Sequence, residues 1–247
     1  MSKIRVGVVN YLNAKPLVYG IRNHPVMEQV ELIEDYPSNL AKMLEQDEID
    51  VGLIPIAATQ KFSEWNIVGD FCIGTEGEVA SVCIFSEVPM EAIEEIVMDY
   101  QSRTSVALAR ILLKEYWRKE VKITDAVNDS FRAGIKGNKA ALVIGDRALE
   151  QRQHSKYIYD LGLAWKEHTG LPFVFAAWIS KKELPKEFIR EFNEAQKQGI
   201  ENIAAILEDF NYSSYDLVKY FEENIRYCLD EQKHLAITTF LQKLKEL

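Results

Sequence analysis

Three turns of this chain gather residue types that bind and polarise small anions. Tyr11-Leu12-Asn13 follows a short β-branched run, Gln101-Ser102-Arg103-Thr104-Ser105 opens a strongly apolar helix, and Gly145-Asp146 opens another. The first turn of a helix carries free N–H groups and a partial positive charge, so it holds carboxylates well. Each turn also has a plainer reading as a helix cap, for which Asn, Ser and Asp are preferred. That plainer reading comes first for Asp146. Around Ser102–Ser105 three hydroxyls exceed what one cap requires, so Ser102, Arg103, Thr104 and Ser105 stand as candidates for holding an anion. Two other segments lead into long apolar runs, Gly77-Glu78-Val79-Ala80-Ser81 and Thr169-Gly170-Leu171-Pro172. Ser81 can face a cleft from the first. Thr169 and Gly170 read chiefly as a turn, placed at the mouth of that cleft. Trp165, Phe173, Phe175 and Trp178 are core candidates, and one or two of them can wall a ring-shaped ligand.

Familiar cofactor chemistry has no foothold in the sequence. His24, His154, His168 and His234 are far apart, and no HExxH, CxxC or acidic calcium loop occurs. GxGxxG, GxxxxGK[ST] and GxSxG are absent as well. The expectation is a cleft that works without a metal or a nucleotide cofactor. Cys72, Cys83 and Cys228 form no metal pattern and no disulfide framework, and read as reduced thiols.

The elements that must position these residues alternate strand and helix. Ile4–Val9, Val30–Glu34 and Ile49–Ile54 read as strands, with helices after Asn13 and after Pro37. Asn13 is a good cap, and Gly20 lies near the expected exit of its helix. Val79–Ser86 and Phe173–Ser180 are the two longest strand-like runs. Between them the alternation restarts, with strands at Glu95–Met98, Val121–Thr124, Ala140–Ile144 and Tyr157–Leu161 and a helix over Ser102–Trp117. After Ser180 the chain reads as helical, including Asp216–Arg226 and Leu235–Leu247. This predicts an α/β chain of two lobes, residues 1–84 with 178–247 and residues 85–177. The two long strands would cross between the lobes as a hinge. Ligands of open α/β sheets bind at the carboxyl ends of the strands, which here face one cleft.

Composition narrows the function further. Lys and Arg total 29 and Asp and Glu 38, so the net charge is 29 − 38 = −9. An acidic chain lacks the basic face that sequence-independent nucleic-acid binding requires, so no nucleic-acid partner is expected. The longest apolar run, Phe173–Ile179, is far short of the roughly 20 residues of a membrane span. With no apolar signal core near Met1, a soluble cytoplasmic protein without a membrane partner is expected. Oligomeric state is not legible.

Taken together, several segments resemble the chorismate dehydratase family of the futalosine route to menaquinone. They are Val6-Gly-Val-Val-Asn-Tyr-Leu-Asn-Ala-Lys-Pro-Leu17, Gly77–Ser86, Ser102-Arg-Thr-Ser105, Ala141-Leu-Val-Ile-Gly-Asp146, and Asp160-Leu-Gly162 with Trp165 and Thr169-Gly-Leu-Pro-Phe-Val-Phe-Ala176. The resemblance covers about residues 4–180, and the C-terminal helices carry little signature. It implies a fold like that of type II periplasmic binding proteins. It also implies a lyase that removes water from chorismate to give 3-[(1-carboxyvinyl)oxy]benzoate, without metal or nucleotide. The family's Leu-Asn turn and strand serine fall on Asn13 and Ser81, the implied catalytic pair. Asp47 stands where the family usually has glycine, and Asp tolerates a left-handed turn position. No His or Glu is an obvious base, which points to a carboxylate of the substrate itself. Three alternatives share the pattern: a non-catalytic binder of small anions, a ligand-sensing domain of a regulator, and the sister dihydroxynaphthoate synthase. The last has a Ser/Cys-Pro-Asn-Asp type of turn in place of Asn-Tyr-Leu-Asn-Ala-Lys-Pro.

Overall fold

The computed structural model describes residues 3–208 and 212–247. In chain order its first elements are β1 (Ile4–Val9), α1 (Lys15–Arg22), β2 (Val30–Asp35), α2 (Pro37–Glu45), β3 (Val51–Pro55) and β4 (Asn66–Thr75). Next come β5 (Val82–Ser86), β6 (Glu95–Met98), α3 (Arg103–Glu115), β7 (Lys122–Asp125), β8 (Lys139–Ile144), α4 (Asp146–Gln151), β9 (Tyr157–Asp160) and α5 (Leu161–Thr169). The rest are β10 (Phe173–Ser180), α6 (Lys186–Glu201), α7 (Ile203–Glu208), α8 (Leu217–Lys219), β11 (Arg226–Cys228) and α9 (Glu231–Lys245).

Two mixed sheets result, ordered β11-β4-β10-β3-β1-β2 and β7-β6-β8-β5-β9. In the first, β1 pairs in parallel with β2 and β3, the geometry that helical crossovers impose. In the second, β6 pairs in parallel with β7 and β8. The α/β alternation and the two sheets agree with the sequence reading. So does Asp47, which takes φ 59° after α2.

The crossing strands need correction. β5 begins only at Val82, because Ala80 adopts φ 61° and breaks the extended path. β5 lies whole in the second sheet, between β8 and β9. β10 lies whole in the first, between β3 and β4. The divisions expected at 84/85 and 177/178 therefore fall inside strands. The chain passes between the sheets at 76–81 and again along 161–172. A two-strand hinge is present, but its outgoing strand is β4. It leaves beside the returning β10, with Phe173 opposite Thr75.

Other segments differ as well. β4, β11 and α5 lie where the sequence shows no such element. Asp216–Arg226, expected as a helix, holds only the single turn α8, a π turn at Tyr220–Asn224 and the start of β11. Gly20 lies two residues before the end of α1, near the exit as expected. A Cβ on Gly20 would stand 1.9 Å from the Ala195 carbonyl oxygen, and one on Gly199 would stand 1.9 Å from that of Pro16. These two glycines let α1 and α6 touch backbone to backbone.

The core joins both lobes to the C-terminal helices. Trp165, Phe173 and Phe240 pack edge to face, with Phe173 and Phe240 centroids 5.1 Å apart, and Trp178 packs on Phe192. Among the described residues no helix is long and apolar enough to cross a membrane.

Candidate active site

The carboxyl ends of β1 and β8 face each other across a narrow cavity of about 60 Å³ between the two sheets. That is well below the roughly 300–1,000 Å³ usual for small-molecule sites, so a ligand of that size enters only if the lobes part. Tyr11, Asn13, Ser81, Ser102, Ser105 and Gly145 supply its polar lining. Ile73, Val79, Val82, Ile144 and Phe175 supply much of the apolar wall. Phe175 is thus the aromatic that walls the cavity, while Trp165, Phe173 and Trp178 are buried in the core.

Asn13 lies in a 3₁₀ turn, Leu12–Ala14, between β1 and α1. The helix is capped one residue later by Ala14 without a side-chain bond, so the cap expected of Asn13 is not made. Its amide is left for the cavity. Asn13 Oδ1 is buried and has no hydrogen-bond partner among the described residues. The Asn13 carbonyl accepts from the Tyr227 hydroxyl at 2.9 Å, which fixes the turn from behind.

Ser81 is 1% exposed and ends the strap at 76–81. The Asp160 carboxylate, the N-cap of α5, accepts from the backbone N–H groups of Val79 (3.1 Å), Ala80 (2.8 Å) and Leu163 (3.0 Å). Arg152 donates to the Ala80 carbonyl and pairs with Glu78. Asn224 donates to the Glu78 carbonyl. These bonds hold Ala80 in its left-handed conformation and aim Ser81 at the cavity. Tyr220 donates to Ser81 Oγ at 2.9 Å.

On the opposite wall, Ser102 caps α3. Its Oγ accepts from Ser105 N–H at 3.1 Å and donates to Ser105 Oγ at 2.9 Å. Gly145, at φ 66°, is the cap residue of α4 and donates to the Ser81 carbonyl at 2.8 Å. The Tyr11 ring covers it, and Tyr11 donates to Gln101 Oε1 at 2.8 Å.

The remaining candidates lie outside the cavity wall. Asp146 is the first residue of α4, not its cap, and its Oδ1 accepts from Leu12 N–H across the lobes at 3.2 Å. Burial raises the Asp146 carboxyl above its ordinary value, against a smaller lowering by that bond. Thr104 Oγ1 accepts from Ala57 N–H at 3.0 Å, another bridge between the lobes. Arg103 is exposed on α3. Thr169 and Gly170 end α5: Thr169 donates to the Trp165 carbonyl and accepts from Leu171 N–H, and Gly170 takes φ 75°. Their role is the turn, not the cavity.

Among the described residues the cavity wall carries no Lys, Arg, His, Asp or Glu. The N-terminus of α3, with Ser102 and Ser105, brings a partial positive charge to it. Such a site orients an anion by many weak donors and excludes water from it. Among the described residues no three His, Cys, Asp or Glu side chains converge. Sequence reasoning missed Tyr220, Tyr227 and Asp160 as supports of the site. Asp160 had a signal, an Asp before the apolar Leu161–Trp165 stretch, which is a cap pattern. The two tyrosines had none, because their partners are over a hundred residues away.

Residues 4–246 match the family model described as menaquinone biosynthesis. The chain is 26% identical to the chorismate dehydratase of Thermus thermophilus, over 97% of this chain and 94% of that one. It is 27% identical to the chorismate dehydratase of Campylobacter jejuni, over 98% and 97%. Among solved structures it resembles protein AF1704 of Archaeoglobus fulgidus, with a TM-score of 0.79 and 14% identity over 99% of this chain and 97% of that one. The alkanesulfonate-binding protein SsuA of Xanthomonas axonopodis pv. citri matches with a TM-score of 0.66 and 12% identity, over 97% and 90%. The fold is that of periplasmic binding proteins, with two mixed sheets flanking a cleft.

Proposed function

The chain belongs to the menaquinone-biosynthesis family, and from that premise we propose that it is a hydro-lyase that dehydrates chorismate to 3-[(1-carboxyvinyl)oxy]benzoate. The observation that carries this reading is the convergence of Asn13 and Ser81 on one uncharged cavity. There the buried Asn13 Oδ1 has no hydrogen-bond partner among the described residues. Both dehydratase relatives align over nearly the whole chain, which supports the same reaction.

Chorismate carries two carboxylates and a ring hydroxyl. In the reaction a ring C–H bond breaks and its electron pair enters the ring. The neighbouring C–O bond breaks, the hydroxyl leaves with a proton as water, and the ring becomes aromatic. The product's stability supplies much of the driving force, so positioning and one proton transfer are what the protein must add. The N-terminus of α3, with Ser102 and Ser105, holds a carboxylate. Asn13 Oδ1 accepts from the ring hydroxyl, and Ser81 donates to the same oxygen as it departs. Since the described residues of the wall include no Lys, His, Asp or Glu, a carboxylate of the substrate takes the ring proton. Free thiols at Cys72, Cys83 and Cys228 suit the reducing cytoplasm in which such a substrate is made.

Purified protein is incubated with chorismate in EDTA, and the products are weighed by mass spectrometry. The reading expects an aromatic product lighter by one water. Chorismate recovered unchanged would reject it. Chorismate bound but unchanged would favour the non-catalytic anion binder that shares the fold.

A further inference from the structure

We propose that Tyr220 is a positioning residue, which fixes the Ser81 hydroxyl as a hydrogen-bond donor toward the substrate. The inference rests on the dehydratase reading above. Tyr220 is fully buried, and its hydroxyl stands 2.9 Å from Ser81 Oγ. Burial pushes the phenol far above its ordinary value, against smaller lowering contributions from the Ser81 and Asn13 side chains, so Tyr220 keeps its proton. Among the described residues the Tyr220 hydroxyl hydrogen-bonds Ser81 Oγ, with the Asn13 side chain close by.

A serine hydroxyl has one proton and two acceptor positions. With one acceptor position filled by Tyr220, the Ser81 proton has, among the described residues, only the Val79 carbonyl at 3.4 Å. At that length the bond is weak. The proton is left for a group in the cavity that Ser81 lines. A donor that already accepts a hydrogen bond also donates more strongly, because linked hydrogen bonds polarise one another. Tyr220 heads a π turn, a distortion frequently found at functional sites. Tyr227, further along the same segment, supports the other site residue through the Asn13 carbonyl. The C-terminal segment, within the family match over residues 4–246, thus holds the site residues from behind.

Tyr220→Phe keeps the ring and removes the hydroxyl. Its kcat should fall about tenfold, the upper end of one net hydrogen bond, with KM within about twofold. In a Ser81→Ala background the same change should cost nothing further. An unchanged kcat in Tyr220→Phe, or an equal fall in the Ser81→Ala background, overturns the inference. Should Tyr220→Phe not fold, 3-fluorotyrosine at position 220 keeps both ring and hydroxyl and strengthens the donor. Its kcat should then rise at constant KM, and an unchanged kcat overturns the inference. The natural protein, run in the same assay, separates the two claims. No turnover there rejects the proposed function and this inference with it. Normal turnover there with an insensitive Tyr220 rejects the inference alone.

Discussion

Leaving a buried acceptor unpaired costs a folded protein about 1–3 kcal/mol, and Asn13 Oδ1 is such an acceptor. A residue that only capped a helix would have spent its side chain on the backbone. Asn13→Ala should therefore leave the melting temperature unchanged or slightly raised, while kcat falls by about 10²–10³, as for oxyanion-hole donors. A loss of stability with turnover intact would contradict this. Ser81→Ala should likewise fold and lose kcat more than it raises KM. Asp146 allows a test by pH. Its carboxyl is raised by burial, so its stabilising contribution is present below the unfolded value near 3.8 and is lost as pH rises through the folded value. At pH 7 the buried charge is a cost that Asp146→Asn removes while keeping an acceptor for Leu12 N–H. Melts should show the variant more stable at neutral pH, with the advantage shrinking in acid. A constant difference across the range would refute the assignment.

At the scale of elements, the site depends on short irregular segments held from outside. The strap at 76–81 hangs on Asp160. Asp160→Ala leaves buried N–H groups unpaired, at about 1–3 kcal/mol for each. Denaturant unfolding should show a large loss of stability, and kcat should fall with it. A change of under about 0.5 kcal/mol would show that the strap holds itself. The α1–α6 contact gives a second test: Gly199→Ala drives a methyl into the Pro16 carbonyl and should cost about 1–3 kcal/mol. The same scale explains what the sequence revealed. β1, β2, β3, β6 and β8 were legible because parallel strands are continuous β-branched runs flanked by cap and turn residues. β4 was not, since Asn66, Gly69 and Asp70 dilute its pattern and its pairing comes from β10 and β11. Val79–Ser81 looked like strand, and only the tertiary bonds to Asp160 turn Ala80 left-handed. Asn13, Ser102, Ser105 and Gly145 were legible as turn residues, and Ser81 as a polar residue entering a strand. Thr169 and Gly170 shared that pattern without sharing the place.

Across the whole molecule, the lobes meet through polar bonds that ring the cavity. Tyr11 reaches Gln101, Leu12 reaches Asp146, Ala57 reaches Thr104, and Tyr212 reaches the Asp146 carbonyl. A ligand enters only when these part, and β4 with β10 forms the joint about which they do so. Small-angle scattering should show a smaller radius of gyration with a saturating product analogue, and an unchanged radius would argue against motion at the hinge. The central claim, that this cavity dehydrates chorismate through Asn13, has one direct measurement. Chorismate consumption is followed over time for the natural protein and for Asn13→Asp, both verified as folded. The natural protein should convert chorismate to an aromatic product with loss of one water, and the variant, which brings a negative charge against an anionic substrate, should be nearly inactive. Equal conversion by both proteins, or none by either, would contradict the account.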